Sequence, residues 1–246
     1  MRVVDLEGSA DFARRIEELV IERWFRDPPP FLRQMATTPT STTAQAFVLE
    51  WTKFSRQFPR WVGAIIANCP EFDVIAFEVE NLMTEVVRDP SAATNHYELL
   101  IRLGEAAGVD RATIEAHEPC PESMRAFDWW WEVARQPDWL LGFTGINGLE
   151  IMGDRGLPKR YGLATGTGLA PDPWAATGIE AHALEFFRVS DAADAGHGRE
   201  TVELIAAHTP PAQRGEVIAV LGGTIERLRE LMDGLWTLSQ RLALTQ

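Results

Sequence analysis

The feature that most constrains this chain is the spacing of its apolar residues, which recur every three to four positions almost from end to end. In "DFARRIEELVIERWF", Phe12, Ile16, Leu19, Val20 and Trp24 fall on one stripe of a helix, and Ser9 stands where an N-cap is expected. Prolines and threonines in "RDPPPFLRQMATTPTST" favour turns. The 3.6-residue pattern then resumes in "AQAFVLEWTKFSRQFPRWVGAIIANC" and "CPEFDVIAFEVENLMTEVV". Further helices fit "NHYELLIRLGEAAG", "PESMRAFDWWWEVAR", "PDWLLGFTGINGLEIM", "DPWAATGIEAHALEFFRVSDAADAGHGRETVELIAAH" and "RGEVIAVLGGTIERLRELMDGLWTLSQRLAL". Segments with period-two alternation and β-branched enrichment are scarce, so the expected fold is an all-α helical bundle. With 246 residues, 46% of them hydrophobic, the chain can bury one sizeable core, and one globular domain over residues 1–246 is expected.

Charge narrows the partners. The net charge is −13, from 23 basic and 36 acidic residues, and no Lys/Arg run stands out. The electrostatic footprint of a nucleic-acid or anionic-membrane binder is therefore missing, and neither partner is expected. No apolar run is long enough to span a bilayer, and "MRVVDLEGSADFARR" has acids where a signal peptide carries basic and then apolar residues. A soluble cytoplasmic protein is expected. Cys69 and Cys120 each neighbour a proline and form neither a disulfide framework nor a zinc-type spacing, so both are read as reduced and structural.

A bundle makes sites by pointing side chains inward from facing helices, which directs attention to acids and histidines on apolar faces. Four places qualify. In "FEVENLMTEVV", Glu78 and Glu85 share a face at i, i+7, with Glu78 and Glu80 read as solvated. In "TNHYELL", His96 opens a new helix behind a Thr94 or Asn95 cap. In "LLGFTGINGLEIMG", Glu150 is the sole charge in an apolar run, where a buried carboxylate asks for a partner. In "HALEFFRVSDAADAGHGRE", Ser190, Asp194 and His197 at i, i+4 and i+7 lie within roughly 60° of one another on a helix. Glu85, His96, Glu150, Asp194 and His197 together offer three carboxylates and two imidazoles from four helices. That donor set suits iron or manganese better than structural zinc.

At this point the sequence resembles the heme-oxygenase-like diiron oxidases, relatives of the pyrroloquinoline-quinone synthase-like and thiaminase II proteins. The resemblance runs from about residue 25 to 235. It starts at "PPPFLRQMATTPTSTTAQAFVLEWTKFSRQFPRWVGAIIANCP", similar to that family's opening loop, next helix and Phe-Pro turn. It continues through "ENLMTEVVRDPSAATNHYELLIRLGEAAGV" and "GINGLE", and closes on "FFRVSDAADAGH", similar to the pattern FF-x-x-H-x-x-x-D-x-x-H. The resemblance implies a heme-oxygenase-like bundle of about seven helices, with Glu85, His96, Glu150, Asp194 and His197 as iron ligands. Ser190 departs from it, standing where the family pattern has a histidine. His182, Glu180 or Asp191 would then complete a second iron, or one iron would bind weakly, or the site would be dead.

The implied activity is an Fe(2+)- and O2-dependent oxidase or oxygenase with two irons, acting on a small amino-acid-like or fatty-acid-like substrate. "FDWWWEVARQPDW" and "LLGF" are candidate pocket walls, and Arg125, Lys159, Arg160 and Tyr161 are candidate holders of a substrate carboxylate. Two rivals remain: a metal-free, cofactorless oxidase or hydrolase of the same fold, and a non-catalytic ligand-binding or interaction protein, with a homodimer as one arrangement. The first histidine in the chain is His96, which disfavours heme oxygenase activity itself, since a proximal histidine would be expected in the first helix.

Overall fold

The computed structural model describes residues 6–92, 94–163 and 172–245; the side chains of residues 6, 7 and 191–195 lie outside that description. Its described residues form helices and no strand, as the periodicity requires. In order these are α1 (Leu6–Val20), continued by a π-helical turn at Ile21–Phe25, α2 (Pro30–Thr37), α3 (Ser41–Asn68) and α4 (Phe72–Leu82), continued by a second π-helical turn at Met83–Val87. There follow α5 (His96–Ala106), α6 (Arg111–Ala116), α7 (Pro121–Ala134), α8 (Trp139–Gly153), α9 (Gly156–Arg160), α10 (Glu185–His208) and α11 (Arg214–Ala243). A contiguous apolar core runs from Phe12 to Leu238, with Trp61, Trp130 and Trp174 among its fully buried side chains.

Local chemistry sets several boundaries. Thr40 and Thr43 form a reciprocal capping box at the start of α3, satisfying two otherwise orphaned backbone donors. Pro59, part of the Phe-Pro pair that the resemblance equates with a turn, lies inside α3 instead. The helix is long and packed on both sides of it, which offsets the single backbone bond that proline removes. The continuous helix expected over 172–208 is broken: a 3₁₀ turn at Asp172–Thr177 ends at Gly178, whose φ of +80° is open to glycine and costly for other residues. Helix α10 starts only at Glu185.

Helix α8 is apolar on all sides and packs against α10, α11, α7 and α3. Such a helix belongs in the interior. Small residues set its spacing to α10. A Cβ on Gly198 would stand 2.8 Å from the Glu150 carbonyl oxygen and 3.3 Å from the Ile151 Cα, both backbone atoms that cannot give way. Gly198→Ala is therefore expected to destabilise the protein by about 1–3 kcal/mol, the usual cost of overpacking, readable as a lower midpoint in denaturant unfolding.

Helix α7 is pinned to α3 by one buried acid. Glu50 is fully buried; its Oε1 lies 2.7 Å from His117 Nε2 and accepts from the Cys120 backbone N–H at 3.1 Å. Burial pushes this carboxyl up, but the bonds from His117, Ser123 and Cys120 outweigh it and hold Glu50 below the ordinary range. A carboxylate here also faces the positive end of α7.

Candidate metal centre

Both π-helical turns deliver side chains to one cavity of about 130 Å³, which has Trp24 from the first and Thr84 and Glu85 from the second on its wall. π-turns often mark functional sites because the extra residue redirects the side chains that follow. His96 from α5, Leu149 and Glu150 from α8, and Ser190 and His197 from α10 face the same cavity. Aromatic rings complete the lining, Phe47, Trp51, Phe54 and Phe58 from α3 and Phe186 from α10, the last 6.0 Å from the His96 ring.

His96 is held between two acids. Its Nδ1 lies 2.6 Å from Glu85 Oε1 and its Nε2 3.1 Å from Asp89 Oδ2. Asp89 is itself fixed, its Oδ1 accepting from the Ser91 backbone N–H at 2.7 Å and the Ser91 hydroxyl at 2.6 Å. Burial pulls the imidazole pKa down, but bonds to and charge on Glu85 and then Asp89 win, raising it to about 9. The second pair is looser. His197 Nδ1 is 3.8 Å from Glu150 Oε2, and the Asn81 amide donates to Glu150 Oε1 at 3.2 Å. Burial acts to raise the Glu150 carboxyl, while His197, Asn81 and the charge of His96 together hold it below its ordinary value.

A fourth acid lies on α4, one turn before Asn81. Glu78, expected in solvent, is fully buried on α4 and accepts from the Asn147 amide at 2.7 Å, leaving its Oε2 without a hydrogen-bond partner among the described residues. Burial raises its pKa to about 8, with the nearby Glu150 charge adding to the shift. Glu80 is exposed, as expected. The sign of the linkage is the same for Glu78 and His96. Both folded values exceed the unfolded ones, so the stability they contribute is complete at acid pH and is lost as pH rises through about 8 and 9 respectively. Metal-free protein is expected to melt at progressively lower temperature from about pH 6 to 9, and Glu78→Gln to flatten that decline.

Of the residues singled out in the sequence, Glu85, His96, Glu150, His197 and Ser190 line the cavity. The side chains of Asp194 and Asp191 lie outside the described set, although both positions are on α10. His182 and Glu180 do not complete the site: they pair with each other at 3.1 Å on the surface, with 67% and 78% of their side chains exposed, ahead of the first turn of α10. The proposed carboxylate holders are elsewhere too. Arg125 pairs with Glu122 and Glu230, Arg160 and Tyr161 bond Glu17, and Lys159 is exposed. The tryptophan run is core rather than pocket, with Trp130 packed against Trp61 and Phe54. Asp89 was not anticipated; its only sequence signal is the turn-forming "RDPS", which marks a loop and not a site.

The donor chemistry fits iron. Carboxylate oxygens and imidazole nitrogens are its ligands, and among the described residues no Lys or Arg lines the cavity to neutralise Glu85 and Glu150. Among those residues no three His, Cys, Asp or Glu side chains stand ready to hold a metal ion. The acids on His96 touch opposite ring nitrogens, so Glu85 and Asp89 cannot share one ion with it.

The sequence model of a family described as iron-containing redox enzymes matches residues 45–229. The chain belongs to that family. The matched span includes Glu85, His96, Glu150 and His197. Over 212 residues the chain is 23% identical to a 4-aminobenzoate synthase of Chlamydia muridarum, covering 81% of this chain and 79% of that protein. Among solved structures it is similar to a domain with a heme oxygenase-like fold from Shewanella denitrificans, at a TM-score of 0.69 and 13% identity over 98% of this chain and 96% of that one. A TenA homologue from P. horikoshii gives a TM-score of 0.68 at 14% identity over 94% and 99%. These likenesses establish a heme-oxygenase-like fold. Among the described residues no helix is long and apolar enough to cross a membrane.

Proposed function

We propose that this chain is an iron- and dioxygen-dependent oxidase or oxygenase of a small organic molecule, with two ferrous ions held between the Glu85–His96 and Glu150–His197 pairs. The observation that carries this reading is the convergence of those four side chains, from four separate segments, on one cavity. Asp194, on the same helix as His197, is the fifth proposed ligand. Iron, when bound, would supply dioxygen activation and the electrons for it.

The chain's own residues do the rest. Asp89 accepts from His96 Nε2 and fixes the ring so that Nδ1 faces the cavity beside Glu85. Asn81 orients Glu150 in the same way. The aromatic wall of α3 keeps water out and offers an apolar or aromatic part of the substrate a flat surface. The relative named as a 4-aminobenzoate synthase supports a small aromatic compound as one class to test first. Ser190 brings a hydroxyl where the resemblance implies an imidazole, which leaves one of the two irons a strong donor short.

A thiol-dependent, metal-free reaction finds no support in the cavity. Cys69 and Cys120 are buried away from it, and burial pushes both thiols above their ordinary values. The test is dioxygen uptake: protein loaded anaerobically with ferrous iron and then exposed to air should consume O2, and the same protein loaded with zinc should not. Uptake no faster than that of free ferrous iron in buffer, with and without small aromatic acids and amines, contradicts the proposal.

A further inference from the structure

Helix α4 is apolar on two sides. Its inner face carries Val74, Phe77, Glu78 and Asn81 into the protein. Its outer face carries Phe72, Ala76, Val79 and Met83 at i, i+4, i+7 and i+11, within roughly 60° of one another, and one π turn further on lie Val86 and Val87. Every one of these outer residues is exposed, Phe72 at 82% and Val87 at 61%. An outward stripe at this spacing is the seam of a helix that expects another helix.

We propose that this face pairs with the same face of a second copy of the chain, the two α4 helices crossing antiparallel about a two-fold axis near Val79. Three observations choose a second copy in that orientation. The first is charge: the N-terminal end of the stripe carries Glu71 and its C-terminal end Arg88, so antiparallel pairing sets each copy's Arg88 against the other's Glu71, while Asp73 stays paired with His208 of its own copy. Parallel pairing would set Glu71 against Glu71 and Arg88 against Arg88 and would align the helix dipoles unfavourably, whereas the antiparallel register brings together one pair of like charges, the two exposed Glu80 carboxylates at the rim of the seam. The second is spacing: a two-fold axis at Val79 and Glu80 places Phe72 of one copy near Val87 of the other and Ala76 near Met83, so large side chains meet small ones, as an isologous contact requires. The third is area. At the observed exposures the stripe presents on the order of 500 Å², and two copies together remove about 1,000 Å², the threshold of a specific interface.

The pairing goes beyond the proposed oxidase reading and does not depend on it, but it touches the same turn. Met83, Val86 and Val87 point outward from the turn whose Thr84 and Glu85 point into the cavity. A second copy would thus back the segment that presents Glu85.

Sedimentation velocity of the full chain at micromolar concentration should show a dimer, and Val79→Glu and Met83→Glu should each weaken it at least tenfold with an unchanged helical circular dichroism spectrum. Orientation is read by oxidation. Val79→Cys alone should cross-link to itself, and Phe72→Cys should cross-link only when combined with Val87→Cys. A monomer at all accessible concentrations, a dimer indifferent to both glutamate variants, or efficient self-cross-linking of Phe72→Cys would each overturn the proposal. So would a monomer that co-sediments with neutral phospholipid vesicles through Phe72 and Met83.

Discussion

Glu85→Ala and His197→Ala are each expected to lower ferrous iron affinity at least about 100-fold, measured by anaerobic titration and by metal analysis after desalting. Each removes a donor from a different carboxylate–imidazole pair. The loss should exceed that of Asp89→Asn, which leaves every proposed ligand in place and disturbs only the bond that orients His96. Partners of that kind are usually worth 10- to 100-fold in affinity. A ranking in which Asp89→Asn weakens iron more than Glu85→Ala would mean that His96 and Glu85 do not share the metal. Affinity should also climb with pH, because the His96 proton, held by Glu85 and Asp89 to about pH 9, has to leave before Nδ1 can bind iron.

The second large effect is on stability and lies far from the cavity. Glu50→Ala is expected to cost about 3–5 kcal/mol in denaturant unfolding, because it strands the buried Cys120 N–H and the His117 ring together. Glu50→Gln keeps one acceptor oxygen and should lose less. A loss under about 1 kcal/mol for Glu50→Ala would show that water reaches the start of α7 and replaces the carboxylate.

The fold class was legible because the apolar spacing repeats in nearly every helix. Glu150 was legible because an acid that an apolar run carries into the interior has to be paired or metal-bound there. Position on α4 was not. That helix has apolar residues on both faces, so periodicity alone cannot say that Phe77 and Glu78 turn inward while Val79 and Met83 turn outward. His182 was misplaced for a different reason: the helical pattern runs through Gly178, and only the backbone shows that the chain turns there and leaves His182 on the surface. Asp89 lies in a turn segment, where an acid ordinarily means solvent; its burial follows from the tertiary placement of His96. Of the tryptophans of α7, Trp130 obeyed the commoner rule for aromatic stripes and filled the core, with Trp129 and Trp131 packed half-buried against it.

The central claim is that the cavity between α3, α5, α8, α10 and the π-helical turn at Met83–Val87 holds iron. Anomalous diffraction at the iron edge from crystals grown anaerobically with ferrous iron tests it most directly. The expected result is one peak between Glu85 and His96 and another between Glu150 and His197, the two of unequal height because Ser190 leaves one iron a donor short. Iron found only outside this cavity, in crystals whose protein retains it through desalting, would contradict the account.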